Sequence, residues 1–350
     1  MSHATPLEAL YQVYRALRAN REEYGLVMED RQEYRWVLGD DKQIETIEPY
    51  EKLLSQKLVE ECMIAANRCG ARFLTEHGAS GPFVGHRGFR ADRLSETRKF
   101  LEMHAAELAS ENPETVARYR TIMRGLSKTE HELPQRPMVN RLLSRAELCC
   151  EPLPHMGMAL ESYTNCTSPL RKYLDFLVHL QIKAVLHGET ANLVAAETLE
   201  QLSGRLAQSR AATLEAERWL ASNYLAKLAA AEEDARFEGR VIHVNSSGFN
   251  VRLDDNGLEG FVDLRKDPEK FSYDKWTASL TSTTRRFRLE QPVTVSYLGA
   301  AAEDLYQARF ALVEGCGLKP QKEEPAKPEK ADDSACLLYT SDAADDTQFV

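Results

Sequence analysis

Long apolar runs are missing from this chain of 350 residues. No stretch reaches the about 18 consecutive apolar residues that a membrane span needs, so we expect no membrane-spanning segment. The first residues, Met-Ser-His-Ala-Thr-Pro, lack a charged-then-apolar leader, which favours a cytoplasmic location. The seven cysteines include no Cys-x-x-Cys pair, which excludes a zinc ribbon and argues against a disulfide scaffold. We expect the vicinal Cys149-Cys150 pair to be reduced and at least partly buried.

Clustered metal ligands are missing as well. The nine histidines show no His-Glu-x-x-His or comparable spacing. The pairs Asp40-Asp41 and Asp254-Asp255 fall at expected turns, and Asp345-Asp346 lies close to the C-terminus. None of these pairs forms a cluster of oxygen ligands for a hard cation such as Mg²⁺. The sequence therefore predicts no metal site in this chain.

The formal net charge of −10 is opposite to that expected for a nucleic-acid-binding protein. From Glu323 onward, however, eight acidic residues stand against two lysines, so the rest of the chain carries only −4. That remainder has enough Lys and Arg for a basic channel. Charge alone leaves the class of partner open.

Periodicity predicts an α+β chain, with helices dominating as far as residue 234. Short strands near 25–29, 34–38 and 43–47 are expected to form a small antiparallel meander. Helices are expected over 5–24, 51–76, Asn112 to Leu126, 137–149, Pro169 to about Leu186, 191–208 and 210–233. His155 precedes the central segment, where a structural, hydrogen-bonded histidine is expected, with a ligand or a base as the alternative.

From Phe237 the composition changes to strand-forming residues, with short strands over 237–244, 248–254, 258–263, 293–299 and 306–313. Asn256-Gly257 favours a tight hairpin turn. Five strands with a long third-to-fourth connection predict an OB-fold barrel. We expect domains at 1–234 and 235–315, and a disordered tail at 316–350 because its Lys/Glu/Pro/Ala composition cannot build a core. The part from Cys336 onward resembles translated adapter sequence.

The segment from Tyr163 to His179 has the features of a phosphate clamp. Thr167 or Ser168 can cap a helix whose first residue is Pro169. Arg171 and Lys172 then fall in the first turn, where a cation costs about 0.3–1 kcal/mol. A bound anion would offset this cost, since free N–H groups and a guanidinium both suit phosphate. The alternative is a salt-bridged polar stripe of Arg171, Asp175 and His179 on an amphipathic helix.

Thr167-Ser168-Pro169-Leu170-Arg171-Lys172-Tyr173, followed by Asp175 and His179, resembles the signature of the RNase II family of 3′→5′ exoribonucleases, which share an RNB domain. The arginine of this motif contacts the scissile phosphate in that family. The resemblance therefore implies that Arg171 is catalytic and that Arg171, Lys172 and Tyr173 bind RNA. Cys166 and Leu180 depart from the family, which commonly has an aromatic residue and an arginine there.

Other parts of the chain resemble the same family. The segment Leu58–Asn67 carries Glu60, which matches a family glutamate that contacts RNA. Met28 falls where close relatives carry a phenylalanine that stacks on the terminal base, and Glu215 aligns by spacing with another RNA contact. For Glu60 and Glu215 the alternative is an ordinary solvent-exposed helix face.

Three glycine-containing segments, which begin at Gly239, Gly248 and Gly257, resemble the RNA-binding barrel that the family carries at its C-terminal end. The departures are Ser247, Asn250 and Asp263, which stand where aromatic or histidine contacts are frequent. The remaining candidates for RNA contact are Phe249, Arg252, Arg285, Arg286 and Arg288. The alternative for the arginines is a merely solvated loop.

The resemblance covers about residues 5–313 and implies Mg²⁺-dependent, processive hydrolysis of single-stranded RNA to nucleoside 5′-monophosphates. The family's aspartate cluster and its two preceding cold-shock barrels have no counterpart in this chain. We therefore expect a fragment that is inactive by itself, monomeric, and bound to single-stranded RNA rather than a membrane. The alternatives are a natural, non-catalytic single-stranded RNA-binding protein and a helical interaction module with a vestigial clamp. RNA preference, handling of duplex RNA and oligomeric state stay open.

Overall fold

A computed structural model describes residues 4–27, 32–109, 113–127, 134–189, 194–232, 234–313 and 317–318. The predicted contact residue Met28 and nearly all of the predicted disordered tail lie outside these ranges. The helices within them are α1 (Ala4–Tyr24), α2 (Leu54–Glu76), α3 (Leu94–His104), α4 (Val116–Leu126), α5 (Gln135–Val139), α6 (Tyr173–Leu186) and α7 (Ala196–Ala231). The strands are β1 (Glu33–Leu38), β2 (Ile44–Tyr50), β3 (Phe83–His86), β4 (Ala146–Cys149), β5 (Phe237–Asn245), β6 (Gly248–Leu253), β7 (Glu259–Asp263), β8 (Ser272–Asp274), β9 (Ser279–Thr281), β10 (Arg286–Arg288), β11 (Pro292–Gly299) and β12 (Ala308–Leu312).

The chain divides into two compact units. Within the described residues, the first contains the residues up to Val27 and Glu51–Arg210, and the second contains Gln32–Tyr50 and the residues from Ala211 to Leu318. The predicted domains 1–234 and 235–315 stay a prediction, and the contact units group the β1–β2 hairpin and the part of α7 from Ala211 onward with the barrel. Helix α7 contributes residues to both units.

In the first unit, α2 packs against α6. Ala71 and Leu74 of α2 share a buried cluster with Val178 and Ala184 of α6, and Phe83 of β3 belongs to the same cluster. Each of these side chains removes apolar surface from water, which is the main source of stability for a helix pair. The cluster therefore fixes the surface of α2 that faces the segment before α6.

The predicted helix over 137–149 is wrong. Helix α5 ends at Val139, and β4 forms an antiparallel pair with β3, with Phe83 opposite Cys149. Pairing with a distant strand has overridden the local helical pattern. The two helices predicted over 191–208 and 210–233 are also wrong, since α7 is a single helix of 36 residues.

Smaller corrections concern helix α4 and the start of the meander. Helix α4 is capped by Thr115, whose side chain accepts the N–H of Arg118, whereas the predicted cap Asn112 lies outside the described residues. Gly25–Val27 form no strand, and the rest of the predicted 25–29 strand is not described.

The second unit contains a closed barrel of β5, β6, β7, β12 and β11. Strands β5, β6 and β7 form an antiparallel meander, β12 runs parallel to β7, and β11 closes the barrel by pairing with β5. This strand order is that of an OB barrel. The predicted α+β fold with a five-stranded barrel is confirmed. The long connection after β7 holds an additional sheet of β8, β9 and β10 that sequence patterns did not predict.

The β1–β2 hairpin contacts the turn between β6 and β7. The Tyr34 hydroxyl donates to the carbonyl oxygen of Asp254 at 2.9 Å. Gly257 has φ +70°, and a Cβ there would stand 2.3 Å from the Tyr34 ring. A glycine is therefore needed at this position for both the turn and the close approach of the ring. No helix in the described part of the chain is long and apolar enough to cross a membrane.

Candidate nucleic-acid interface

The segment from Tyr163 to Lys172, called here the motif loop, is anchored to helix α2 by one buried side chain. Asn67 donates through Nδ2 to the Tyr163 hydroxyl at 2.8 Å. Its Oδ1 accepts the backbone N–H of Cys166 at 2.9 Å. Both Asn67 and Tyr163 are almost completely buried. Satisfied polar groups at this depth hold the loop in one position, because each would be costly to leave unpaired.

Helix α6 holds the other side of the motif loop. Asp175 is buried, and its Oδ2 accepts the backbone N–H of Ser168 at 2.8 Å. The Nε2 of His179 donates to the carbonyl oxygen of Cys166 at 2.7 Å. The alternative of a salt-bridged stripe is therefore wrong, since Asp175 and His179 bind loop backbone and not Arg171.

The predicted start of the central helix at Pro169 is also wrong. The carbonyl of Ser168 accepts the N–H groups of Arg171 and Lys172 at 3.2 and 2.9 Å, which forms a turn. The α-helix begins only at Tyr173. Arg171 therefore lies in the turn before the helix rather than in its first helical turn, so it does not carry the predicted energetic cost of a cation at the positive end of a helix dipole.

The motif loop presents an exposed cation beside exposed rings. The Arg171 side chain is exposed, and within the described ranges no hydrogen bond or ion pair involves its guanidinium. The half-buried Lys172 has no side-chain partner there either. Tyr173 is 58% exposed and Phe176 is 43% exposed, with ring centroids 6.3 Å apart. A cation with no partner among the residues that the structure describes is available for an anionic ligand.

Helix α2 carries two adjacent glutamates with different environments. Glu60 is partly exposed, with Oε2 at 3.6 Å from Nζ of Lys52. Glu61 is buried and accepts from Nη2 of Arg21 at 2.6 Å, with Arg18 at 3.4 Å. Glu60 is therefore available at the surface, whereas Glu61 ties α1 to α2.

The buried ring of His155 lies next to Tyr163. His155 stacks on His86 with ring centroids 5.6 Å apart, and it meets Tyr163 edge-on with ring centroids 5.6 Å apart. Burial, followed by the nearby His86, lowers the pKa of His155 to about 4. Burial raises the pKa of Tyr163 to about 12. The Nδ1 atom of the His155 ring is buried and has no hydrogen-bond partner among the described residues. The prediction that His155 is hydrogen-bonded is therefore wrong for this atom.

Among the predicted contacts of the second unit, Phe249 requires a correction. It is fully buried in the barrel, with its ring 4.8 Å from that of Phe287, so it cannot stack on a base. The sequence predicted that Phe249 lies in a strand, but its inward orientation follows from closure of the barrel. Glu215 lies exposed on α7, as an ordinary helix face would.

The arginines of the second unit are mostly engaged with acids. Arg252 donates through Nε and Nη2 to Glu259 at 2.9 and 2.6 Å, across the β6–β7 pair. Arg285 pairs with Asp267 at 2.5 Å and with Glu269 at 3.1 Å. Arg286 and Arg288 are partly buried. These ion pairs reduce the positive charge that the arginines offer to a phosphate.

The described residues contain no group of three or more His, Cys, Asp or Glu side chains that could hold a metal ion. The Mg²⁺ that the family resemblance implies therefore does not fit the residues of this part of the chain. The polar side chains around the motif loop are instead used to hold backbone groups.

Comparison with known proteins identifies the family. Residues 2–188 match the family model of the RNB domain. The chain belongs to the RNB family. Exoribonuclease 2 of Cronobacter sakazakii is 33% identical over 265 residues, which cover 74% of this chain and 40% of that relative. Exoribonuclease 2 of Salmonella arizonae is 34% identical over 248 residues, which cover 69% and 37%. The chain thus spans about two fifths of the length of these curated relatives, and the resemblance seen in the motif is confirmed.

A solved structure supports the RNB fold. RNase R of Mycoplasma genitalium, in complex with ribose-methylated single-stranded RNA, superposes with a TM-score of 0.66 at 18% identity. The match covers 88% of this chain and 49% of that one. At this identity the comparison concerns the fold alone.

Sequence reasoning missed the anchoring role of Asn67 and Asp175. Asn67 stands as a single amide after the apolar run Met63–Ala66 of α2, which is the one signal that sets it apart. Asp175 was noted only as part of the motif. Neither side chain reveals its partner locally, because the loop that it holds lies far away in sequence or outside the helix.

Proposed function

We propose that this chain is the RNA-holding part of a processive 3′→5′ exoribonuclease that hydrolyses single-stranded RNA to nucleoside 5′-monophosphates. The observation that carries the proposal is the Arg171 guanidinium, exposed and unpaired within the described part of the chain, on a loop that buried polar groups hold in place. Membership of the RNB family and the similarity to Exoribonuclease 2 support the reaction class. Action as a cytoplasmic monomer is part of the same proposal.

Four side chains on the motif loop, α6 and α2 have a stated role in this proposal. Arg171 donates two parallel hydrogen bonds to the scissile phosphate and stabilises the charge on its oxygens in the transition state. Lys172 contributes to the positive field on the RNA backbone. Tyr173 offers a ring on which a base can stack, a contact worth about 1–3 kcal/mol per base. Glu60 can accept hydrogen bonds from ribose hydroxyls.

Attack of water on the phosphorus requires groups beyond those described. The described residues do not fit a Mg²⁺ site, so we assign no step to a metal here. We expect the chain by itself to bind single-stranded RNA without shortening it.

A second candidate is a non-catalytic protein that binds single-stranded RNA. The observation that favours it is that the described ranges hold no group of three or more His, Cys, Asp or Glu side chains that could hold a metal ion. It shares the RNA-holding surface with the first candidate and differs only in the outcome for the phosphodiester bond.

A chimera separates the two candidates. The aligned part of Cronobacter sakazakii Exoribonuclease 2 is replaced by this chain, and 5′-labelled oligoadenylate is followed with Mg²⁺ present. Progressive shortening from the 3′ end supports the exoribonuclease. A chimera that melts cooperatively and binds the RNA but leaves its length unchanged supports the second candidate, and loss of binding contradicts both.

Variants of the active chimera test the role of Arg171. Arg171→Ala is expected to lower the hydrolysis rate by about 100–1,000-fold, as removal of one transition-state donor does elsewhere. RNA affinity should fall far less, since the contact matters mainly in the transition state. Arg98→Ala is the matched control, because Arg98 is an exposed arginine on α3. Equal losses of rate and affinity would contradict the catalytic role.

A further inference from the structure

An open groove of about 580 Å³ lies between α2 and the segment formed by the motif loop and α6. Phe73 and Ile182 contribute apolar walls, and His179 lies at its edge. Two thiols also line it, those of Cys69 and Cys166. Both cysteines are free, and the RNA-holding role described above uses neither thiol.

We propose that Cys69 and Cys166 form a redox-active pair that a hydroperoxide converts into an intramolecular disulfide between α2 and the motif loop.

The sulfur of Cys166 rests on the helical turn that contains Cys69. It lies 3.8 Å from the carbonyl oxygen of Ala66 and 3.4 Å from Oδ1 of Asn67. A Cβ on Gly70 would stand only 3.3 Å from this sulfur, so the glycine leaves the space that the sulfur occupies.

Helix geometry directs the side chain of Cys69 toward the sulfur of Cys166. A helical side chain leans toward the N-terminus and covers the residues three and four positions before it. The side chain of Cys69 therefore leans over Ala66, where the Cys166 sulfur already lies. A disulfide needs Cα atoms less than about 7 Å apart, a condition that such packing of a loop on a helical turn favours.

The two thiols differ in accessibility, which assigns the order of events. Cys69 is exposed, whereas burial, followed by the charges of Asp175 and Cys69, raises the pKa of Cys166 to about 11. The Cys69 thiolate attacks the peroxide and an S–O bond forms as the O–O bond breaks, which gives a sulfenic acid. The leaving oxyanion takes up the proton that the thiol released and departs as an alcohol, or as water when the oxidant is hydrogen peroxide. The Cys166 thiolate then attacks the Cys69 sulfur, the S–S bond forms as the S–O bond breaks, and the leaving hydroxide takes up the proton released by the Cys166 thiol and departs as water. Two thiols lose two electrons, and one hydroperoxide is reduced.

The disulfide would add a covalent anchor to a loop that Asn67 and His179 already hold at the backbone of Cys166. Arg171 follows five residues later, so the bond restricts the segment that carries it. Any effect on RNA rests on the proposed function, whereas formation of the bond does not.

Peptide mapping of the full chain tests the bond directly. The reduced protein is treated with hydrogen peroxide, free thiols are alkylated, and the chain is cut with trypsin and Glu-C. These proteases place Cys69 in the peptide 69–72 and Cys166 in 162–171, apart from Cys149 and Cys150. We expect the two peptides to be joined by a disulfide that dithiothreitol cleaves. The link should form faster at about pH 9 than at about pH 7, because the second step needs the Cys166 thiolate.

Three variants control the mapping. Cys69→Ser and Cys166→Ser should abolish the link, and Cys62→Ser, on the same helix, should leave it intact. The proposal is overturned if Cys69 is oxidised to sulfinic acid without the link, if both thiols stay alkylatable, or if Cys149–Cys150 is the bond that forms. A chain that binds no RNA but forms the link would contradict only the proposed function.

Discussion

Replacement of Asn67 by Ala tests whether one buried amide holds the motif loop. The substitution removes the donor to the Tyr163 hydroxyl and the acceptor for the Cys166 N–H. Both groups lose their partner in a buried setting, where an unsatisfied group costs about 1–3 kcal/mol. Partial relaxation and water entry recover some of this cost. We therefore expect the free energy of unfolding to fall by about 2–4 kcal/mol.

Urea unfolding of the full chain measures this loss, and hydrogen exchange of the Cys166 amide locates it. Asn223→Ala is the matched control, since Asn223 is exposed and donates to Gln43 at 3.0 Å on the surface. We expect that control to change the free energy of unfolding by less than about 0.5 kcal/mol.

Two results would refute the reasoning for Asn67. One is that Asn67→Ala changes the free energy of unfolding by no more than Asn223→Ala does. The other is unchanged protection of the Cys166 amide in the Asn67 variant, which would show that His179 and Asp175 hold the loop without help from α2.

Two further predictions concern charge. Arg171→Ala in the isolated chain should reduce the slope of log affinity for oligoadenylate against log salt by about 0.7, the value for one phosphate contact on a single strand, whereas Arg98→Ala should leave the slope unchanged. His155 is neutral in the fold, with a pKa of about 4 against about 6.5 when unfolded, so the unfolded chain takes up the proton first. The contribution of neutral His155 to the free energy of unfolding is therefore complete above about pH 6.5. As the pH falls from there to about 4, the free energy of unfolding decreases by about 3 kcal/mol. His155→Phe should remove this part of the pH dependence in urea unfolding between those values.

If Arg98→Ala reduced the slope of log affinity against log salt as much as Arg171→Ala does, RNA binding would depend on the overall charge of the chain rather than on the motif loop. For His155, an identical pH dependence in the wild type and the Phe variant would place the titration elsewhere, with His243 the next candidate because burial lowers its pKa as well.

Local patterns predicted the elements whose signals are short-range. The amphipathic pattern through Leu54 and Leu58 predicted α2, and the Asn256-Gly257 turn predicted the hairpin between β6 and β7. Predictions failed where distant partners decide. The segment 146–149 is a strand because β3 lies beside it, and α6 begins at Tyr173 because Ser168 closes a turn with Lys172.

The site shows the same division. The motif itself is sufficient to single out Arg171 and the family. The roles of Asn67, Asp175 and His179 depend on atoms brought together from separate segments, and sequence spacing contains no information on which backbone group each one holds.

Residue order by itself determined the family, the helical and barrel-forming regions, and the cation of the motif, because these depend on residue type and on short-range periodicity. Only the tertiary structure decided that Phe249 faces the barrel core, that Arg252 is paired with Glu259, and that Arg171 is exposed without an ion-pair partner among the described residues. The physical reason is that burial and pairing are properties of the space between segments, which forms only when the chain has folded.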